Sequence, residues 1–199
     1  MSKKAIRKSD VRRCTKETDI LIELSLDGSG DHEINTGVGF IDHMLTLFAV
    51  HGLFDLKVKA NGDTEIDDHH TVEDLGICMG QAFKKALGDM SGINRYGHSY
   101  VPMDETLARV CVDISNRPYL HFNVDIPDQK VGNFDTSLAK EFFRGLVLNG
   151  GFTLHVDLLH GENSHHILEA VFKALARALA QAITCHTNVS GPLSSKGVL

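Results

Sequence analysis

The feature that most constrains this chain is an internal repetition of a histidine-headed helix. Asp68-His69-His70-Thr71-Val72-Glu73 and Ser164-His165-His166-Ile167-Leu168-Glu169 each open a stretch with apolar residues at helical spacing, running to about residue 88 and about residue 184. Ahead of each lies a segment opened by Gly and Phe, residues 52–58 and 151–156, whose alternation predicts a half-buried strand. Further upstream, residues 40–50 and 136–148 read as helices, and residues 21–27 resemble 119–125 in strand-like alternation. The order strand, helix, strand, helix thus occurs twice, which is the mark of a duplicated unit. Further strands are expected over 107–114 and around 31–34.

This order predicts an α+β fold of internally duplicated half-domains, each a mainly antiparallel sheet with two helices on one face. The halves are residues 1–92 and 93–199, fused as one compact subunit. A chain that is 42% hydrophobic and 23% charged has the apolar material for such a core. No run reaches the roughly 20 apolar residues of a membrane span, and the basic start has no apolar stretch behind it, so a cytoplasmic protein without membrane contact is expected. Cys14, Cys78, Cys111 and Cys185 are too scattered for a zinc ribbon or a dithiol pair. A net charge of -6 argues against a nucleic-acid partner.

Twelve histidines with no tryptophan direct attention to the histidine clusters, since imidazole is a common ligand for transition metals. On a helix, His69 and Glu73 are four apart and His70 and Glu73 three apart, so imidazole and carboxylate share a face. Adjacent histidines, in contrast, point about 100° apart around the axis. Each His-His pair is therefore divided between two metal sites, with the remaining ligands brought by the other half or another subunit. Setting Phe54 against Phe152 places His43 opposite Glu141, so each half carries an equivalent set: His43, His69, His70, Glu73 and Glu141, His165, His166, Glu169. Imidazoles with carboxylates suit Mn, Fe, Co or Zn and leave the ion open. A solvated helix start is the bland alternative for either copy. His51, His121 and His155 read as packed or hydrogen-bonded structural residues, and His32, His98, His160 and His186 as surface residues.

Four segments resemble the imidazoleglycerol-phosphate dehydratase family: Thr36-Gly37-Val38-Gly39-Phe40-Ile41-Asp42-His43-Met44, Asp67-Asp68-His69-His70-Thr71-Val72-Glu73-Asp74, Gly161-Glu162-Asn163-Ser164-His165-His166 and Ser194-Ser195-Lys196-Gly197. The resemblance implies a lyase of histidine biosynthesis that removes water from imidazole glycerol phosphate to give imidazole acetol phosphate. It also implies two manganese (Mn2+) ions per active site and a hollow homo-oligomer of 24 subunits. By motif, the metal ligands are His43, His69, His70, Glu73, Glu141, His165, His166 and Glu169; many relatives carry His at the position of Glu141. The substrate phosphate falls to Arg95, Arg117, Lys173, Ser194 and Lys196. Glu17 is expected to touch the substrate hydroxyls and move protons, with His43, His69 and Glu169 completing the catalytic set. Asp104 and Glu105 fit a family pair near the active site or, equally, a turn. A metal-dependent hydrolase and a non-catalytic histidine-rich metal-binding assembly are the alternatives.

Overall fold

Alternating apolar residues build the sheets. In β2 (Thr18–Ser25), Ile20, Ile22 and Leu24 turn inward while Leu21 faces out. The structure, a computed structural model, describes residues 7–186, 188, 191–197 and 199. Its first half runs β1 (Lys8–Cys14), β2, β3 (His32–Asn35), α1 (Gly39–Gly52), β4 (Asp55–Gly62) and α2 (His69–Leu87). The second runs β5 (Tyr96–Met103), β6 (Thr106–Ile114), β7 (Tyr119–Asn123), a small hairpin of β8 (Lys130–Val131) and β9 (Phe134–Asp135), α3 (Leu138–Gly150), β10 (Phe152–His160) and α4 (Ser164–Ala182).

The sheet orders, β1-β2-β4-β3 and β5-β6-β10-β7, are the same order once the halves are superposed element by element. In both, the edge strand, β3 or β7, is parallel to its neighbour and the other pairs are antiparallel. The chain is an α+β protein with two sheet-and-helix halves, as its sequence implied. One correspondence needs correction. Residues 21–27 fall on β2, whose counterpart is β6, whereas 119–125 begin with β7, the counterpart of β3. Alternation reports a half-buried strand and carries no information about its place in the sheet. The sequence also hid β1, because Ser9 is its one buried residue and it runs along an edge.

Matched construction recurs at the helix ends. A side chain at Gly52 would strike the ring of Phe54, and one at Gly150 the ring of Phe152. Both helices then leave through a left-handed residue, Leu53 or Gly151. The halves share one core. α2 packs on α3 and α1 on α4, and the rings of Phe83 and Phe152 meet at 6.0 Å. Glycines bring α2 and α3 to backbone contact: Gly76 lies against the Phe142 carbonyl, and a Cβ on Gly145 would sit 2.8 Å from Glu73 O and Ile77 N. This crossing fixes where Glu73 and Glu141 stand relative to each other. Among the described residues no helix is long and apolar enough to cross a membrane.

Candidate metal centre

Each histidine-headed helix starts on a side-chain acceptor. Asp67 Oδ1 takes the His69 N–H at 2.7 Å, and Asn163 Oδ1 takes those of His165 and His166 at 2.9 and 3.3 Å. The first helical residues are therefore fixed in orientation, and their rings diverge. The planes of His69 and His70 differ by 76° and those of His165 and His166 by 89°.

The pairing of α1 with α4 brings His43 to the start of α4. His43 Nε2 lies 3.4 Å and His165 Nε2 3.3 Å from Glu169 Oε2, and these three donors fall within 4.8 Å of one another. Metal–ligand bonds of about 2.0–2.1 Å at tetrahedral to octahedral angles place neighbouring donors roughly 3.0–3.4 Å apart, so the set fits a first-row divalent ion. Burial pushes the Glu169 carboxyl up, yet hydrogen bonds from Lys173 and His43 outweigh it and hold the group below its ordinary range. Glu169 is therefore a carboxylate at neutral pH, ready to act as a ligand.

On the other helix start, His69 Nε2 lies 3.6 Å from Glu73. Glu141, on α3, faces Arg144 at 3.6 Å. His69, His43 and His165 share the wall of one cleft of about 1070 Å³, which also takes in Asp67, Asp68 and Lys130. His70 and His166 turn away from it. His70 Nδ1 is held by Asp63 at 3.0 Å with Glu17 at 3.9 Å, and His166 Nδ1 is held by Glu105 at 2.8 Å while Asp104 lies 3.9 Å from its Nε2. Donating these hydrogen bonds to Asp63 and Glu105 raises the two imidazole pKa values. The same bond with His166, joined by backbone N–H donors, holds the Glu105 carboxyl far below its usual range. Carboxylate on Nδ1 with Nε2 left over is the arrangement that orients a metal-binding histidine.

The residues read as a phosphate site divide between two places. Lys173 sits beside the cluster, donating to Glu169. Arg95 lies at the far end of the subunit, where its guanidinium grips Asp113 at 2.6 and 3.0 Å and donates to the Leu193 carbonyl at 2.8 Å. Arg117 reaches the same Asp113 at 3.7 Å and is 71% exposed. Ser194 and Lys196 follow Leu193 in one turn, with the Lys196 N–H on Ser194 Oγ. The Arg95 N–H donates to Ala182 O at the end of α4, so at about 1.5 Å per residue this group stands roughly 25 Å along the helix from His165.

Of the other histidines, His51 is half-buried, and burial followed by Lys173 and Arg177 lowers its pKa. His121 and His155, expected to be packed or hydrogen-bonded, lie ring beside ring at 5.3 Å with their planes tilted by 35°, and both are exposed. His32, His98, His160 and His186 are exposed as expected. Asp63 escaped the sequence reading because it lies in an aperiodic loop; an acid just ahead of a histidine-headed helix was the available signal.

Comparison with known proteins agrees with this architecture. Residues 36–179 match the family model for imidazoleglycerol-phosphate dehydratase. Proteins of that name from Desulfotalea psychrophila and Thermoanaerobacter pseudethanolicus are each 57% identical, over 97% and 98% of this chain and 96% and 100% of theirs. The crystal structure of the enzyme from Staphylococcus aureus superposes with a TM-score of 0.82 at 48% identity, covering 90% of this chain and 99% of that one. A structure from Pyrococcus furiosus in complex with (S)-C348 gives 0.83 at 42% identity, covering 95% and 100%. The family match and the relatives define a carbon–oxygen lyase, a dehydratase of histidine biosynthesis. The chain belongs to the imidazoleglycerol-phosphate dehydratase family.

Proposed function

We propose that the chain dehydrates imidazole glycerol phosphate to imidazole acetol phosphate, in the cytoplasm, at a centre of two manganese ions completed by self-association into a homo-oligomer of 24 subunits. The observation that carries this reading is the convergence of His43, His165 and Glu169 from two helices. Under the duplication, Glu141, His69 and Glu73 are the counterpart set for the second ion. His70 and His166, each held at Nδ1, have Nε2 left as a donor for ions shared with neighbouring chains. Four unpaired thiols support a reducing compartment.

When bound, the manganese ions supply Lewis acidity and a template for the substrate imidazole. The chain's own residues do the rest. Lys173, paired with Glu169 beside the cleft, would donate to the substrate phosphate. Arg95, Arg117, Ser194 and Lys196 of a neighbouring subunit clamp the same phosphate, because their distance from His165 along α4 prevents them from serving the cleft of their own chain. Asp113 keeps the Arg95 fork in place, and Arg117 is exposed to reach outward. Fixing the glycerol arm at both ends reduces the entropy lost on reaching the reactive geometry. Glu17 takes the proton from carbon and delivers one to the departing hydroxyl. The test is elemental metal content measured beside dehydratase turnover, before and after chelation. Turnover should vanish with the metal and return best with Mn2+; full activity in metal-free protein would overturn the proposal.

A further inference from the structure

The duplication supplies an internal comparison for Glu17. Glu17 ends the turn before β2, and Glu105 ends the turn before β6, the strand in the same place in the other sheet. Both stand next to the second histidine of a helix start, His70 or His166. Their circumstances differ. Glu105 is latched: it accepts from His166 Nδ1 at 2.8 Å, from Asn163 N at 2.9 Å, from Thr106 Oγ1 at 3.0 Å and from Glu162 N at 3.2 Å. Glu17 has His70 Nδ1 at 3.9 Å, beyond hydrogen-bond reach, and its side chain is 56% exposed.

The difference traces to the loop that precedes each histidine-headed helix. In the second half the loop is short, residues 161–163, and the N–H groups of Glu162 and Asn163 end on the Glu105 carboxylate. The first half has a longer loop, residues 63–68, and its first residue replaces the turn glutamate in that task. Asp63 donates its N–H to the backbone carbonyl of Glu17 at 3.1 Å and receives His70 Nδ1 on its carboxylate at 3.0 and 3.3 Å. One ring N–H has room for one good acceptor, so Asp63 and the Glu17 carboxylate compete for it.

We propose that Asp63 is a positioning residue: by occupying the Nδ1 hydrogen of His70 it keeps Glu17 unlatched, whereas Glu105, with no such competitor, is committed to holding His166. Equivalent glutamates thereby take different roles, one moving protons and one orienting a ligand. This rests on the assignment of proton transfer to Glu17 made above.

The experiment compares Asp63→Ala, Asp63→Asn, Glu17→Gln and the double variant Asp63→Ala/Glu17→Gln, all at saturating Mn2+, with a crystal structure of metal-free Asp63→Ala. In that crystal Glu17 should have moved onto His70 Nδ1, reproducing the Glu105 contact at 2.8 Å. Turnover of Asp63→Ala should fall about 10- to 100-fold, with KM changed far less, as expected when a supporting partner is lost. Asp63→Asn keeps an acceptor oxygen and should recover most of the turnover. Glu17→Gln should lose about 100-fold or more, and adding Asp63→Ala to it should cost little further, because the group being freed is already gone. A Glu17 that stays in place in the crystal, or losses that multiply in the double variant, would overturn the inference alone. Unimpaired turnover in Glu17→Gln would overturn the proton-transfer assignment and this inference with it.

Discussion

Replacing Glu169 with Gln separates the structural from the metal-binding role of the cluster. The Glu169 and Lys173 side chains are 10% and 15% exposed and paired one helical turn apart. Removing one partner of a buried pair leaves the other charge uncompensated, at about 3–5 kcal/mol. The Gln oxygen still accepts a hydrogen bond, and a lysine can extend its ammonium toward the cleft, so a loss below that range, about 2–3 kcal/mol, is expected for metal-free protein. Adding Lys173→Met removes the stranded ammonium and should recover all but about 1 kcal/mol, because an apolar side chain of similar length refills the space. Metal affinity should be lost in both variants, since neither restores the carboxylate ligand. The assay is urea unfolding of chelated protein at one fixed protomer concentration, reading midpoint and slope, beside calorimetric titration with Mn2+. A Glu169→Gln stability within about 0.5 kcal/mol of the parent, or a double variant no more stable than the single, would refute the reading of a buried compensated pair.

Gly145→Ala should destabilise the chain by about 1–3 kcal/mol in urea unfolding, since the added carbon, 2.8 Å from two α2 backbone atoms, outweighs a helix-propensity gain of about 1 kcal/mol; Gly39→Ala, with nothing within 4 Å, should show no loss. His51 has a folded pKa lowered from 6.5 by burial and by Lys173 and Arg177, so its contribution to stability is fully present above that value and lost as pH falls through the folded pKa. His70 and His166, with raised values, contribute with the opposite sign, so the difference between parent and His51→Asn between pH 7.5 and 5.5 isolates the term. The Cys78 thiol, pushed up to about 12 by burial, should resist a disulfide reagent at pH 8 in folded protein while exposed Cys14 and Cys185 react. Co-assembly of Glu169→Gln chains with Arg117→Ala chains should restore about one quarter of parental turnover, because sites formed between chains pair an intact metal end with an intact phosphate end in that proportion. Failure to exceed the sum of the separate variants would place both ends of a site on one chain.

Sequence patterns carried the helices and the duplication because those depend on short-range periodicity, which a core-facing helix such as α4 expresses clearly. The pairing of His43 with Glu141 across the halves was legible for the same reason, since both lie one turn into helices that are followed two residues on by equivalent phenylalanines, Phe54 and Phe152. Sheet order was not legible. β7 alternates as β2 does, and its parallel pairing with β10 depends on a crossover that leaves no mark in five residues. The metal ligands could be proposed from side-chain chemistry, but their partners could not. Asp63 is an ordinary surface acid in sequence, Glu105 and Lys173 stand out only through the family resemblance, and what each one holds comes from the atom it touches.

The placement of functional groups within the subunit bears on how copies must associate. His165 and Arg95 meet opposite ends of α4, so a compact substrate held by both cannot be bound by a single chain. If the proposed site is right, the metal end of one subunit meets the phosphate end of another, and those surfaces are different patches. Contacts between unlike patches either repeat head to tail until the rotation they impose closes on itself or pair reciprocally about a two-fold axis. A two-fold axis relating antiparallel α4 helices also brings unlike ends together, since each chain then meets the other reciprocally, and it builds two sites per pair. Under the proposed function each site therefore draws on at least two chains, so a variant held monomeric should lose turnover while keeping its fold; full turnover in a monomer would refute the division of the site between chains.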